Sequence, residues 1–396
     1  MDRIFLKKRE DQRIRLGHPW IFDNEIGRYQ GECPTGSPVQ VYSADGLYLG
    51  TGIMNRNSRI CVRIALRDSE RVMDRAFFSE RITNALSLRE RLYAPEDSCR
   101  LVFAESDLIP GLIIDRFVSI EGKIFLSIQF LTLGIDIFRD EIISILHELI
   151  SPDGIFERSD VHVRALEGLP ERKGWIGSAH DPRIVIRENG VLLRVDVENG
   201  QKTGYFLDQK ANRALVAALS RGMRVLDTFT HTGAFGLNAW KGGAISVESI
   251  DISREAIETV QEAIKLNGAS PCVTAREADV FNVLKEYDTQ ERRFDIIVLD
   301  PPAFTKNARM VDKAYGGYKE INLRAMKILE PGGFLITCSC SHFFTPEHFY
   351  HMLQNAAQDA KRTVQIIERT GAGPDHPMLS GYPESDYLTC AVLRVW

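Results

Sequence analysis

Towards the end of this chain, a thiol and a carboxylate sit in segments suited to chemistry. Cys340 lies between Ser339 and Ser341 at the close of an apolar run that begins at Phe334. Asp300 closes another apolar run, Phe294–Leu299, and leads into Pro301-Pro302-Ala303-Phe304. Two prolines directly after a strand stop pairing and fix a rigid, protruding turn. A flat ring can then lie against Phe304 while Asp300 or a backbone carbonyl holds its polar edge. Thiolate plus carboxylate suits one demanding reaction, modification of a pyrimidine at carbon 5. That carbon is a poor nucleophile until a thiolate adds at carbon 6 and makes it enamine-like. A carboxylate near N3 stabilises the charge that develops there. Cysteine on a strand is also a common small hydrophobe, so the placement of Cys340 at or beyond a strand end carries the reading. Cys338, two residues earlier, alternates with it and is expected on the same strand face.

Three more carboxylates precede these in order. Asp227 ends a strand in Val225-Leu-Asp-Thr-Phe-Thr-His-Thr-Gly-Ala-Phe235. Gly233 and the small Ala234 let a ligand approach the backbone, and Phe229 lies in the same candidate cofactor loop. Asp227 can accept hydrogen bonds from an ammonium group, or it can simply cap the next helix. Asp251 follows the second strand about 20 residues on, where a carboxylate holds a ribose diol. Asp279 follows the third, where it can meet an adenine amino group with Val280 and Phe281 against the ring; alone it is an unremarkable aspartate. No three-glycine phosphate cradle is present, so the set points to a nucleoside cofactor without a pyrophosphate, which the resemblance described below implies is S-adenosyl-L-methionine. The expected cofactor residues are Asp227, Phe229, Gly233, Asp251, Asp279 and Asp300. Pro301, Pro302 and Phe304 are expected against the substrate, and Cys340 and Asp300 in catalysis.

The elements that must position them are legible as apolar strands alternating with amphipathic helices. Strands are predicted at Met223–Asp227, Ala244–Ile250, Phe294–Leu299 and Phe334–Cys338, the last after a turn at Glu330-Pro-Gly-Gly333. A helix is predicted over Arg254–Leu266, with Ser253 as cap and Asn267-Gly268 as terminator. This alternation argues for an α/β doubly wound, mainly parallel sheet, which binds ligands at the carboxyl ends of its strands. Upstream, residues 1–70 read as short strands with Gly/Pro punctuation, including Val39–Tyr42 and Ile60–Ile64. Residues 72–94 and roughly 136–150 have helical spacing. Strands are expected at Leu112–Asp115, Ile124–Phe130 and Val191–Val197, with a Gly/Pro-rich stretch over Leu169–Pro182. The predicted divisions are 1–70, 71–195 and 196–396.

Composition sets the remaining bounds. The 396 residues are 44% hydrophobic and 26% charged, an ordinary globular mix. No apolar run approaches the ~18 residues of a membrane span, and the first ten residues are charged, so a cytoplasmic location is expected. Seven cysteines at irregular spacing with no CxxC pair argue against a disulfide framework and against a bound metal. The net charge of −5 gives no whole-chain sign of nucleic acid. Residues 1–75, however, hold 13 Lys/Arg against 10 Asp/Glu. Lys7, Lys8, Arg9, Arg13, Arg15, Arg56 and Arg59 are the candidate phosphate contacts. A homodimer stays open.

The ordered strand-end motifs resemble those of Rossmann-like S-adenosylmethionine methyltransferases. Over nearly its whole length the chain resembles the bacterial large-subunit ribosomal RNA cytosine-C5 methyltransferases. The matching segments are Gly17-His-Pro-Trp-Ile-Phe22, Gly111-Leu-Ile-Ile-Asp115-Arg, Gly204-Tyr-Phe-Leu-Asp208-Gln, Asp300–Phe304, Ser339-Cys-Ser341, Asp375-His-Pro and Tyr382-Pro-Glu. The resemblance implies a β-barrel PUA-type RNA-binding domain over residues 1–70, an α+β middle domain, and a Rossmann-like methyltransferase domain. It makes Cys340 the nucleophile and large-subunit ribosomal RNA the partner. Ala303 and Phe304 stand where many other cytosine-C5 enzymes carry a second cysteine that aids product release. Two rival readings remain: methylation of a guanine nitrogen, which needs no thiol, and a non-catalytic RNA-binding or assembly protein.

Overall fold

The computed structural model describes residues 1–305, 308–341 and 343–396. The chain forms two compact units. The first comprises Met1–Ile186, Val195–Leu207 and Pro374–Ser385; the second comprises Arg187–Arg194, Asp208–Gly373 and Asp386–Trp396.

The first unit opens with β1 (Asp2–Leu6), β2 (Trp20–Phe22), β3 (Ile26–Gln30), β4 (Pro38–Tyr42), β5 (Tyr48–Met54) and β6 (Ile60–Leu66). They form one sheet in the order β2-β6-β5-β4-β1-β3. Period-two alternation sends Ile4, Leu6, Val39 and Val41 inward to a core with Ile14, Met54 and Val62. A helix over Arg75–Leu92 follows; it starts later than its apolar spacing suggests because the Asp74 carboxylate caps it, accepting from the Phe77 amide at 2.9 Å. A second sheet is built from β7 (Cys99–Phe103), β8 (Leu112–Val118), β9 (Ile124–Phe130), β10 (Gly154–Ser159) and β11 (Arg172–Ile176), in the order β11-β10-β9-β8-β7. Strand β11 lies inside the stretch read as Gly/Pro-rich punctuation. Its pairing with β10, Arg172 opposite Ser159 and Ile176 opposite Ile155, overrides the local composition.

A hairpin of β12 (Arg183–Glu188) and β13 (Val191–Asp196) precedes the second unit's main sheet. That sheet comprises β14 (Arg224–Thr228), β15 (Ser246–Asp251), β16 (Val273–Glu277), β17 (Phe294–Leu299), β18 (Leu329–Ser339), β19 (Val364–Thr370) and β20 (Thr389–Val395). Its order is β16-β15-β14-β17-β18-β20-β19, parallel from β16 to β18 and antiparallel at β20. The helix over Arg254–Asn267 is capped by the Ser253 hydroxyl and ends at Gly268, whose φ is +62°. The predicted turn at Glu330–Gly333 is instead an irregularity within β18. Leu329 pairs with Phe294 and Phe334 with Ile296, so the extra residues bulge out of the ladder. Among the described residues, no helix is long and apolar enough to cross a membrane.

Candidate active site

The parallel order β16-β15-β14-β17-β18 brings five strand ends to one edge of the sheet. The connections diverge between β14 and β17, where such sheets open a ligand crevice. The loop leaving β14 is strained. Phe229 has φ +56° and His231 φ +51°, with Gly233 at +77°. A bulky residue in the left-handed region is an outlier worth roughly 1–3 kcal/mol, and such strain gathers at functional loops. Neighbouring groups hold the loop: the Thr230 amide donates to the Ile250 carbonyl at 3.0 Å, and the His231 amide to Asp251 Oδ2 at 3.0 Å.

Asp227 lies beneath this loop with no solvent exposure. Its Oδ2 accepts from the Thr230 hydroxyl, from the Gly236 amide at 2.9 Å and from the Ser249 hydroxyl at 3.3 Å. Its Oδ1 is buried and has no hydrogen-bond partner among the described residues. Burial pushes the carboxyl up to about 6, although the three donors pull the other way. Gly236, which the sequence reading passed over, is required by close approach. A Cβ there would meet Ser249 Oγ at 2.6 Å and Asp227 Oδ2 at 2.9 Å.

Asp251 stands at the end of β15. Its Oδ1 accepts from the Ser253 amide at 2.9 Å while Oδ2 ties the β14 loop. Asp279 caps the helix Val280–Thr289, accepting from the Asn282 amide at 3.0 Å, and stays half-buried. Phe281 in that helix lies 6.1 Å from Phe304, ring centre to ring centre.

Parallel pairing of Leu299 with Thr337 sets the end of β17 beside the end of β18. Cys340 Sγ comes to 4.0 Å from the Pro301 carbonyl oxygen. Both Cys340 and Asp300 are half-buried, Pro301 is buried and Pro302 exposed. Asp300 Oδ1 accepts from Gln209 Nε2 at 3.0 Å. Gln209 Oε1 in turn accepts from Asn212 at 2.6 Å, and Asn212 Oδ1 from the Thr370 hydroxyl at 2.7 Å. This run of neutral groups fixes Asp300 and was missed as such, although Gln209 closes the quoted Gly204–Gln209 segment. Phe304 is half-buried; its ring centre is 4.5 Å from that of Tyr318, whose hydroxyl meets Ser341 Oγ at 3.1 Å and Ser339 Oγ at 3.2 Å.

Cys338 is more deeply buried than Cys340, although Asp300 and Gln209 act on its thiol as well. The strand ends at Ser339, so alternation stops before Cys340. Cys338 is fully buried opposite Cys390 of β20, with the sulfurs 3.1 Å apart. The hydrogen bond to Cys390, followed by burial, holds the Cys338 thiol well above its ordinary range.

A family model described as S-adenosylmethionine-dependent methyltransferase matches residues 173–385, and one described as a PUA-like domain matches residues 4–67. A ribosomal RNA large subunit methyltransferase I from Shewanella frigidimarina is 42% identical over 400 residues, covering 100% of this chain and 99% of the relative. The protein of the same name from Shewanella amazonensis is 41% identical over 398 residues, again with 100% and 99% covered. The chain belongs to the S-adenosylmethionine-dependent methyltransferases. Two solved structures show the same fold for this methyltransferase over 100% of both chains. One is of a Streptococcus mutans protein assigned to the same class (TM-score 0.82, 20% identical), and the other was solved with SAH (TM-score 0.84, 19% identical).

The edge suits the cofactor. Asp227 Oδ1, without a partner among the described residues, is an acceptor waiting for a donor, and Gly236 lets its helix close onto the other oxygen of that carboxylate. Among the N-terminal candidates, Arg9 is exposed, and Lys7 is exposed with its Nζ donating to the Asn24 carbonyl at 2.7 Å. Arg13 is partly exposed, and its guanidinium is engaged by Glu25 at 2.7 Å, by His18 Nδ1 at 2.7 Å and by the Trp20 carbonyl at 2.8 Å.

Proposed function

We propose that this methyltransferase acts on carbon 5 of a cytosine in large-subunit ribosomal RNA, in the cytoplasm, with Cys340 as nucleophile. The observation that carries the reading is the approach of Cys340 Sγ to the Asp300-Pro301 turn, 4.0 Å from the Pro301 carbonyl oxygen. The relatives' name and the PUA-like match support the substrate class. Residues 1–70 serve as the RNA-binding domain, 71–195 as the middle domain and 196–396 as the catalytic one.

The cofactor supplies an electrophilic methyl group. Asp227 Oδ1 would hold its ammonium, Asp251 its ribose diol, and Asp279 with Phe281 its adenine. The Cys340 thiolate adds to carbon 6 of the cytosine, forming an S–C bond and moving the C5–C6 π electrons onto carbon 5 and the N3 side of the ring. Asp300, oriented by Gln209, gives the carboxyl proton to N3 as that charge develops. After carbon 5 is alkylated its proton passes to water, the C–H electron pair re-forms the double bond and expels the thiolate, and N3 returns its proton to Asp300.

RNA carrying 5-fluorocytidine tests this, because fluorine cannot leave as a proton. With cofactor present, a protein–RNA adduct that survives denaturing electrophoresis is expected. It should vanish in Cys340→Ala and persist in Cys338→Ala. Methylation of a guanine nitrogen predicts no adduct and an active Cys340→Ala enzyme; that result would end the cytosine-C5 reading.

A further inference from the structure

We propose that the outward face of the N-terminal six-stranded sheet binds single-stranded RNA by stacking bases on a row of aromatic side chains flanked by arginines. The inference rests on the reading of this chain as an RNA methyltransferase. It names a surface outside the basic cluster identified along the sequence.

The row comes from register. Phe5 of β1 lies opposite Arg28 of β3 on one side and Tyr42 of β4 on the other, and Tyr42 lies opposite Tyr48 of β5. Ile4 and Leu6 point into the core, so Arg3 and Phe5 face outward. The result is a transverse line, Arg28–Phe5–Tyr42–Tyr48, over four strands. Arg28 Cζ sits 3.9 Å from the Phe5 ring centre. Phe5 and Tyr42 are 5.4 Å apart at an interplanar angle of 25°, and Tyr42 and Tyr48 are 5.7 Å apart at 70°. Arg3 Cζ adds a second cation 5.5 Å from the Tyr42 ring centre.

Three things favour RNA over an apolar protein partner. The rings are only half-buried, and the two arginines are exposed. Neither guanidinium has an ion pair or hydrogen bond among the described residues, unlike Arg13 with Glu25 and Arg15 with Asp11. The tyrosine hydroxyls are engaged locally, Tyr42 donating to Gln40 Oε1 at 3.1 Å and Tyr48 meeting Thr51 Oγ1 at 2.8 Å, and Phe5 carries Arg28 over its ring and Tyr42 stacked beside it, so a base joins the row at its exposed ring edges and at Tyr48. Aromatic rings interleaved with free cations are the combination that binds single strands with little sequence preference. A duplex keeps its bases stacked on each other and offers the row only its backbone.

The experiment measures binding of the full chain to a labelled RNA of about ten nucleotides, as single strand and as duplex, across a salt series. Tyr42→Leu should weaken the single strand by about fivefold or more and leave the salt slope unchanged. Arg28→Gln, an exposed change, should weaken it and lower the slope by about one. Tyr42→Leu should leave duplex binding unchanged, and both variants should keep the wild-type S-adenosylmethionine affinity and the wild-type circular dichroism spectrum, the latter reporting an intact fold. Photocrosslinking with 5-iodouridine should mark peptides containing Phe5, Tyr42 or Tyr48. A wild type that binds RNA, with both variants binding equally well or crosslinks only elsewhere, overturns this proposal alone; a wild type that binds no RNA overturns both readings. Sedimentation showing a wild-type dimer and an Arg28→Gln monomer would assign the face to a second copy and overturn it too.

Discussion

At the carboxyl edge of the C-terminal sheet the polar groups are buried or half-buried, held by strained backbone and individually bonded; on the aromatic row of the N-terminal sheet Arg3 and Arg28 are exposed and make no ion pair or hydrogen bond among the described residues. Asp227 typifies the first, with no exposure and three donors on one oxygen. Arg28 typifies the second, exposed above a half-buried ring. The difference matches the two tasks proposed for them. A reacting group must already be oriented and partly desolvated when the substrate arrives, because reorganisation during reaction raises the barrier. A surface that collects a flexible polyanion gains from charges still free to move. Substitutions at the edge should therefore change rate or cofactor affinity steeply, whereas those on the face should change RNA affinity in modest steps.

The largest contrast is expected at Asp300. Asp300→Ala should lower the rate of methyl transfer by roughly 10²–10³-fold, the usual loss when one group stabilising developing charge is removed. Gln209→Ala, which only frees the Asp300 carboxylate to turn, should act in the same direction and less severely. Single-turnover assays at saturating RNA report this directly. Equal rates in Asp300→Ala and wild type would remove the carboxylate from the mechanism.

Asp227 sharpens the comparison through pH. Its folded carboxyl is raised to about 6, against ~3.9 for an unfolded chain. The folded unit thus keeps a proton that the unfolded chain has released. The stability it contributes is complete below the unfolded value and is lost as pH rises through about 6, by up to roughly 3 kcal/mol. An ammonium donor needs the ionised form, so S-adenosylmethionine affinity should rise over the same window. Asp227→Asn should flatten both profiles; denaturant titrations and calorimetry across that range test the pair. A cofactor affinity independent of pH in the wild type would mean that Oδ1 does not meet the ammonium.

The smallest expected effect separates the two roles within the N-terminal domain. Arg13→Ala should cost about 1–3 kcal/mol of stability by leaving the buried Glu25 carboxylate without its main partner, and should not change the salt slope of RNA binding. Arg9→Gln should do the reverse, sparing stability and lowering the slope by about one. A lowered slope in Arg13→Ala would return that residue to the RNA surface.

Much of the catalytic edge could be read along the chain because each part ends a strand or opens a loop. Apolar runs bounded by Asp227, Asp251 and Asp300 carry strand length and chemistry in the same few residues. Ser253 and Gly268 punctuate their helix through local hydrogen bonding and backbone freedom, which need no distant partner. The bulge at Glu330–Gly333 was read as a turn because Pro and Gly mark either one. Only pairing with β17 showed that the ladder resumes.

What the sequence by itself determined were these local units: strand and helix identity, the strand-end carboxylates, and a thiol just past an apolar run. What only the tertiary structure decided was adjacency. Cys338 faces Cys390, 52 residues away, and is fully buried. Gln209 reaches Asp300 across 91 residues. Arg13 is taken up by Glu25, while Arg3 and Arg28 have no ion pair or hydrogen bond among the described residues. Phe5, Arg28, Tyr42 and Tyr48 form a row because sheet register, not chain spacing, sets which side chains meet across strands. Strand order and register are settled by the packing of the whole core, and no short window of residues contains that information.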